Sequence, residues 1–214
     1  MSKSTFSCLI SLLLVFMLVI PGFGQTRVGK LGVGVDGSMQ YVFGAGNVNT
    51  SPAIGYGINM SYSIMEGLGI RSNVAYNQLS WKASTGASTT TELLSFNLFL
   101  TADLLPNSPV NIFILGGGGL ASFEPRAEDG SRMAISTIDI HYIGGLGVDY
   151  FLNEFWSISV MGEYVLTGSR WYNGPTNSDN DSFLRGSIQI RYYFFDQSFI
   201  VKLLEAQRDR SKNK

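Results

Sequence analysis

Ile54-Gly55-Tyr56-Gly57-Ile58-Asn59-Met60-Ser61-Tyr62-Ser63-Ile64 alternates without a break between large apolar side chains and small or polar ones. Successive side chains of a β-strand point to opposite faces. Ile54, Tyr56, Ile58, Met60, Tyr62 and Ile64 therefore share one face, and Gly55, Gly57, Asn59, Ser61 and Ser63 share the other. A helix would scatter both sets around its axis, so the stretch reads as a strand.

The same period recurs seven more times. Val33, Val35, Met39 and Tyr41 alternate with Gly34, Asp36, Ser38 and Gln40, and Leu68, Ile70, Val74 and Tyr76 with Gly69, Arg71, Asn73 and Ala75. Leu94, Phe96, Leu98 and Leu100 stand opposite Ser95, Asn97, Thr101 and Asp103. The stretch from Val110 to Leu120 is the least regular: Phe113 and Leu115 fall on the polar side beside Asn111, and the glycines at 116–119 blur its middle. Ile138, Ile140, Tyr142, Leu146 and Val148 then oppose Asp139, His141, Gly145 and Asp149, with Ile143 as an exception. Trp156, Ile158, Val160 and Tyr164 oppose Ser157, Ser159 and Glu163, and Leu184, Ile188, Ile190 and Tyr192 oppose Arg185, Ser187, Gln189 and Arg191. Eight strands are predicted, an even number as a closed antiparallel barrel of the bacterial outer-membrane kind requires.

Energy decides which face meets what. An unpaired Arg or Lys facing the bilayer midplane costs ~2–4 kcal/mol, so the face carrying Arg71, Asp139, Glu163, Arg185 and Arg191 points inward and the apolar face meets lipid. A soluble barrel of the lipocalin kind would have the opposite polarity. The connections fit the membrane reading. Tight turns at 65–67, 105–108 and 152–154 alternate with longer polar loops at 44–52, 82–90, 124–134 and 168–180. Short periplasmic turns and long extracellular loops are the rule for such barrels. Tyr41, Phe43, Tyr62, Tyr150, Trp156, Tyr192 and Phe194 fall near strand ends, where interfacial aromatics belong.

Composition and the N-terminus agree. Charged residues make up only 14% of the 214-residue chain, against about 25% in soluble domains. Lys3 supplies a positive start, residues 8–20 an apolar run, and Pro21-Gly22-Phe23-Gly24 a break with small residues. Residues 1–24 are therefore expected to be a cleaved signal peptide, 25–195 the barrel, and 196–214 a periplasmic tail, with cell outer-membrane localisation. Cys8, the single cysteine, lies in the leader, so the mature chain is expected to have no thiol, disulfide or cysteine-held metal. Removing Lys3 leaves 14 basic against 16 acidic residues, a net charge of −2 that gives nucleic acid no footprint.

These features together resemble the small eight-stranded outer-membrane barrels of the OmpA/OmpX type, over roughly residues 26–195. Short pieces such as Gly144-Gly145-Leu146-Gly147-Val148-Asp149-Tyr150-Phe151 add to the likeness. The resemblance implies an all-β, up-and-down transmembrane β-barrel whose lipid partner is the outer membrane. One departure concerns the end of the chain. The family often closes on a terminal aromatic, whereas Phe194-Phe195 is followed here by nineteen residues, of which 198–208 read as a short helix.

An interior this narrow is filled by its own side chains. Asp36, Arg71, Asp139, His141, Asp149, Glu163, Arg185 and Arg191 are therefore expected to form a structural network of paired charges. A narrow gated channel is the competing reading. Asp139-Ile140-His141 resembles the Asp-x-His pair of omptin proteases, with Asp179-Asn180-Asp181 the spacing match for the second acidic pair that those ten-stranded enzymes need. A lipid A deacylase would need a serine where Ile143 stands. His141 is instead expected to bond to Asp139 as a structural residue. No catalytic, metal or cofactor residue is assigned, and 116–119 lacks the Lys-Ser/Thr of a phosphate loop. Trp171 and Tyr172 are candidate loop contacts. The expected role is non-enzymatic: an envelope scaffold or a surface interaction protein. The alternative is an accessory subunit of a secretion or assembly complex, docked through the loops or the tail.

Overall fold

A computed structural model describes residues 28–43, 49–82, 88–126, 129–132, 138–169, 172 and 181–194. The expected leader at 1–24, the tail at 196–214 with its helix at 198–208, and Trp171, Asp179 and Asn180 lie outside the described residues.

Nine strands follow one another: β1 (Leu31–Phe43), β2 (Asn49–Ser51), β3 (Ala53–Met65), β4 (Leu68–Lys82), β5 (Ser88–Asp103), β6 (Val110–Arg126), β7 (Ile138–Phe151), β8 (Trp156–Thr167) and β9 (Ser182–Phe194). Eight of them are long, and each pairs antiparallel with its chain neighbour. β1 also pairs with β9, from Leu31↔Phe194 to Phe43↔Ser182, which closes the sheet into an up-and-down barrel. Closure leaves no unpaired ladder edge, the condition for a sheet to lie in hydrocarbon.

The faces fall as the alternation predicts. Ile54 is 74% exposed, Ile138 71% and Ile188 60%, while Asp149, Glu163 and Arg191 are each 1% exposed. Among the described residues, twenty-five buried side chains are polar or charged and sixteen are apolar or aromatic. The polarity is therefore that of a lipid-facing barrel. Phe113, Leu115 and Ile143, irregular in the sequence pattern, are buried inside. They supply volume that small polar residues on the same face cannot.

Two of the four long loops, 44–52 and 82–90, are shorter than the sequence suggests. Asn49–Ser51 is a strand that pairs with 80–82 beyond the break at Pro52. β4 and β5 run on in a Ser/Thr-rich ladder until only 83–87 separates them, and residues 124–126 belong to β6. The alternation of short and long connections fails here, because 104–109 is longer than 83–87. β4, β5 and β6 have 15, 16 and 17 residues, whereas ~9–11 span the hydrocarbon. These strands are longer than a crossing needs, and the added residues 88–91 of β5 are serine and threonine. At the opposite rim, Glu66-Gly67 joins β3 to β4, and Gly67 takes φ +78°, which a side chain disfavours. Trp156, Tyr192, Phe194 and Phe155 cluster on this rim, with ring centroids 5.1–6.3 Å apart around Tyr192.

Candidate functional site

Nothing but alternation is needed to bring the interior groups together. Asp36 (β1), Asn59 (β3), Arg71 and Asn73 (β4), Asn97 (β5), His141 and Asp149 (β7), and Gln189 and Arg191 (β9) all occupy inward positions, and closure aims them at one another.

Asp149 is the centre of one group. Arg71 donates Nη2 to its Oδ2 at 2.5 Å and Nη1 to its Oδ1 at 3.4 Å. Arg191 donates Nη1 at 3.5 Å and Ser159 donates Oγ at 2.5 Å, both to Oδ1. The Arg71 guanidinium also lies 3.8 Å from the centre of the Phe113 ring. Such a carboxylate lets two buried cations persist, since a buried charge is retained only when paired and hydrogen-bonded.

From Arg191 the bonding continues around the wall. Its Nε donates to Asn59 Oδ1 at 2.9 Å, and it also bonds Gln189 and Tyr193. Asn59 and Asn73 both donate to Asp36 Oδ1, at 3.2 and 3.0 Å. Asn97 donates to Asn73 at 2.7 Å, and His141 Nε2 lies 2.6 Å from Asn97 Oδ1. Because Asn97 spends its amide group on Asn73, its oxygen accepts and the proton sits on His141 Nε2. Asp36, Arg71, His141, Asp149 and Arg191 thus form one relay through asparagines, which the alternation marked as inward but not as linkers.

Glu163 and Arg185 form a separate pair, Nε to Oε2 at 2.5 Å, both almost fully buried. Asp139 belongs to neither group. Its Oδ2 accepts from the Tyr172 hydroxyl and the Gly168 N–H, each at 3.1 Å. The expected Asp139–His141 bond is therefore replaced by two bonds to other partners. Residues two apart on a strand face lie ~6–7 Å apart along it; Asp139 instead meets Gly168 and Tyr172, which follow the neighbouring strand β8, and His141 meets Asn97 on β5. The Asp-x-His geometry of a carboxylate orienting an imidazole is not formed.

Tyr172 is not an exposed loop contact. It is 1% exposed, with its ring stacked on Phe123 at 4.3 Å and edge-on to Phe183 at 6.5 Å. Its N–H donates to Asp181 Oδ2 at 3.1 Å, and its carbonyl accepts from Thr91 Oγ1 at 3.2 Å. Burial, followed by the Asp139 carboxylate, raises the phenol well above its ordinary pKa, so it acts as a neutral donor. Leu79, Leu93, Ala121, Phe123, Val165 and Phe183 are buried in one apolar cluster with Tyr172, and the cluster continues along the interior through Phe99, Phe113, Leu115 and Ile143. At the other end a cavity of about 30 Å³ opens against Ser61, Thr101, Asp103 and Tyr193 and ends on Arg71 and Asp149.

Among solved structures the chain is similar to Neisserial surface protein A, at 19% identity over 78% of this chain and 99% of that one, with a TM-score of 0.58. It is also similar to the outer-membrane protein OprG of Pseudomonas aeruginosa, at 13% identity over 81% and 100%, with a TM-score of 0.55. A third is Ail, the attachment invasion locus protein of Yersinia pestis, at 14% identity over 78% and 99%, with a TM-score of 0.54. No protein-family model and no curated protein matches the chain. The fold is that of the small eight-stranded outer-membrane β-barrels.

Proposed function

We propose that the protein is exported to the outer membrane, spans it as a closed and non-conducting barrel, and serves there as a non-enzymatic scaffold that displays its outer connections to a surface partner. The observation that carries this reading is the interior. Asp149, Arg71 and Arg191 cross-link β7, β4 and β9 through buried charge-assisted bonds. A permeant ion would have to break these bonds. The apolar outer wall supports the membrane placement, since Ile54, Ile58, Leu98, Leu100 and Ile188 are more than half exposed. A solvated surface has no reason to carry that belt, whereas lipid favours it.

Two measurements test the proposal. Membrane fractionation with heat-modifiable gel migration should place the folded chain in the outer membrane, and recovery as a soluble protein refutes the placement. In planar bilayers the purified protein should give no unitary current steps. Reproducible steps in the wild type refute the closed scaffold and favour a gated channel. A chain lacking 197–214 should still insert, and loss of a co-purifying partner on that deletion would favour the accessory-subunit role instead.

A further inference from the structure

We propose that the cavity at the rim where β1 begins and β9 ends is a site for a small organic cation, a primary ammonium group that enters end-on. The cavity of about 30 Å³ lies among β3, β4, β5 and the ends of β7 and β9. It has room for about two water-sized positions. The connections that bound this rim, 66–67, 104–109 and 152–155, are all among the described residues. Such a site goes beyond the scaffold role and does not depend on it.

Oxygen atoms without partners mark the cavity. Ser61 is 9% exposed and its Oγ has no hydrogen-bond partner, and the same holds for the buried Oδ1 of Asp103. No ion pair among the described residues includes Asp103. Buried acceptors left in this way cost free energy that an incoming donor recovers. Gly69 makes the room. It sits in register between Ser63 and Thr101, and a Cβ there would stand 3.0 Å from Thr101 Oγ1. The lining holds two carboxylates, Asp103 and Asp149, against one guanidinium, Arg71, which is already committed to Asp149 by two bonds. The balance is one negative charge, so a cation is favoured over an anion. Part of the wall is aromatic: Phe151 and Tyr193 line the cavity, with ring centroids 5.6 Å apart. A hard metal ion is held by oxygen on all sides. An alkylammonium instead offers three N–H donors to the oxygens, and its positive charge is attracted by the rings. Methylammonium, with one nitrogen and one carbon, is the size of the cavity, and a longer amine would leave its remainder in solvent at the rim.

The test uses the full-length protein in non-ionic micelles, with methylammonium chloride as the probe, read by ligand-observed NMR against protein-free micelles. Saturable binding in the mM range is expected, the ceiling for so small a ligand. Tetramethylammonium, with the same charge and no N–H, should bind about fivefold more weakly or worse. Equimolar potassium chloride should leave the methylammonium signal unchanged. Asp103→Asn, its fold checked by heat-modifiable migration, should weaken methylammonium binding by about fivefold or more. Absence of saturable binding in the wild type overturns the proposal. Equal binding of tetramethylammonium overturns it by showing a loose counter-ion, and displacement by potassium overturns it in favour of a metal-ion site. Unchanged affinity of folded Asp103→Asn also overturns it, since the ligand then lies elsewhere. Should Asp103→Asn fail to fold, the comparison of the three cations on the wild type decides alone.

Discussion

Asp149→Asn keeps the size of the side chain and removes the charge that Arg71 and Arg191 share. At a charge separation of about 4 Å and an effective dielectric of ~20, each cation interacts with the carboxylate by ~4 kcal/mol. Part of that loss is offset, because the desolvation penalty of the buried carboxylate disappears with its charge, and neither cation is left without a partner. Arg71 keeps its place 3.8 Å from the centre of the Phe113 ring, a contact worth up to ~2 kcal/mol when desolvated. Arg191 keeps Asn59, Gln189 and Tyr193. The expected net loss is ~3–5 kcal/mol, the range for a buried pair broken from one side. Urea unfolding in phospholipid vesicles, followed by tryptophan fluorescence, measures it. Arg71→Gln in the Asp149→Asn background removes one of the stranded cations and should regain at least ~1 kcal/mol. A loss below ~1 kcal/mol for Asp149→Asn, or strict additivity in the double variant, refutes a shared carboxylate holding both cations.

Two further comparisons follow by the same assay. At Gly119 a Cβ would stand 2.4 Å from the Phe96 carbonyl oxygen and 2.6 Å from His141 Nε2, so Gly119→Ala should cost ~1–3 kcal/mol. Gly144 faces outward with nothing within 4 Å of a Cβ, and Gly144→Ala should stabilise by ~0.5–1 kcal/mol. Equal effects at the two glycines would place both on the same side of the wall. Leu98→Arg, mid-strand on the lipid face, should cost ~2–4 kcal/mol, and Leu104→Arg, just past the end of β5, only ~0–1 kcal/mol. The reverse order would mean that the membrane lies elsewhere along the barrel.

Strand faces were legible because one physical rule, the outward or inward turn of successive side chains, writes itself into the order of residues. The outer ends of β4 and β5 escaped it, since 80–82 is too short to show a period and its partner stretch, Ser88-Thr89-Thr90, is a run of small polar residues with no apolar alternation. Phe113, Leu115 and Ile143 broke the pattern because an enclosed interior needs bulk as well as polarity. The interior charges were found residue by residue, but their partners were not. His141 meets Asn97 forty-four positions away and not Asp139 beside it, and only closure of the sheet decides that choice. Tyr172 stands in a polar loop of the sequence, yet Phe123 and Asp139, both distant in sequence, draw it inside.

The thirteen registered pairs between β1 and β9 make the order of strands cyclic, with residues 31 and 194 side by side on one rim. In space the barrel has no first strand. A circular permutant with those ends joined and new termini opened within 83–87 should trace the same wall. For the same reason there is no half-finished product that lipid can shelter. A chain stopped before Ser182 presents two bare ladder edges to hydrocarbon, so the last strand made commits every strand before it.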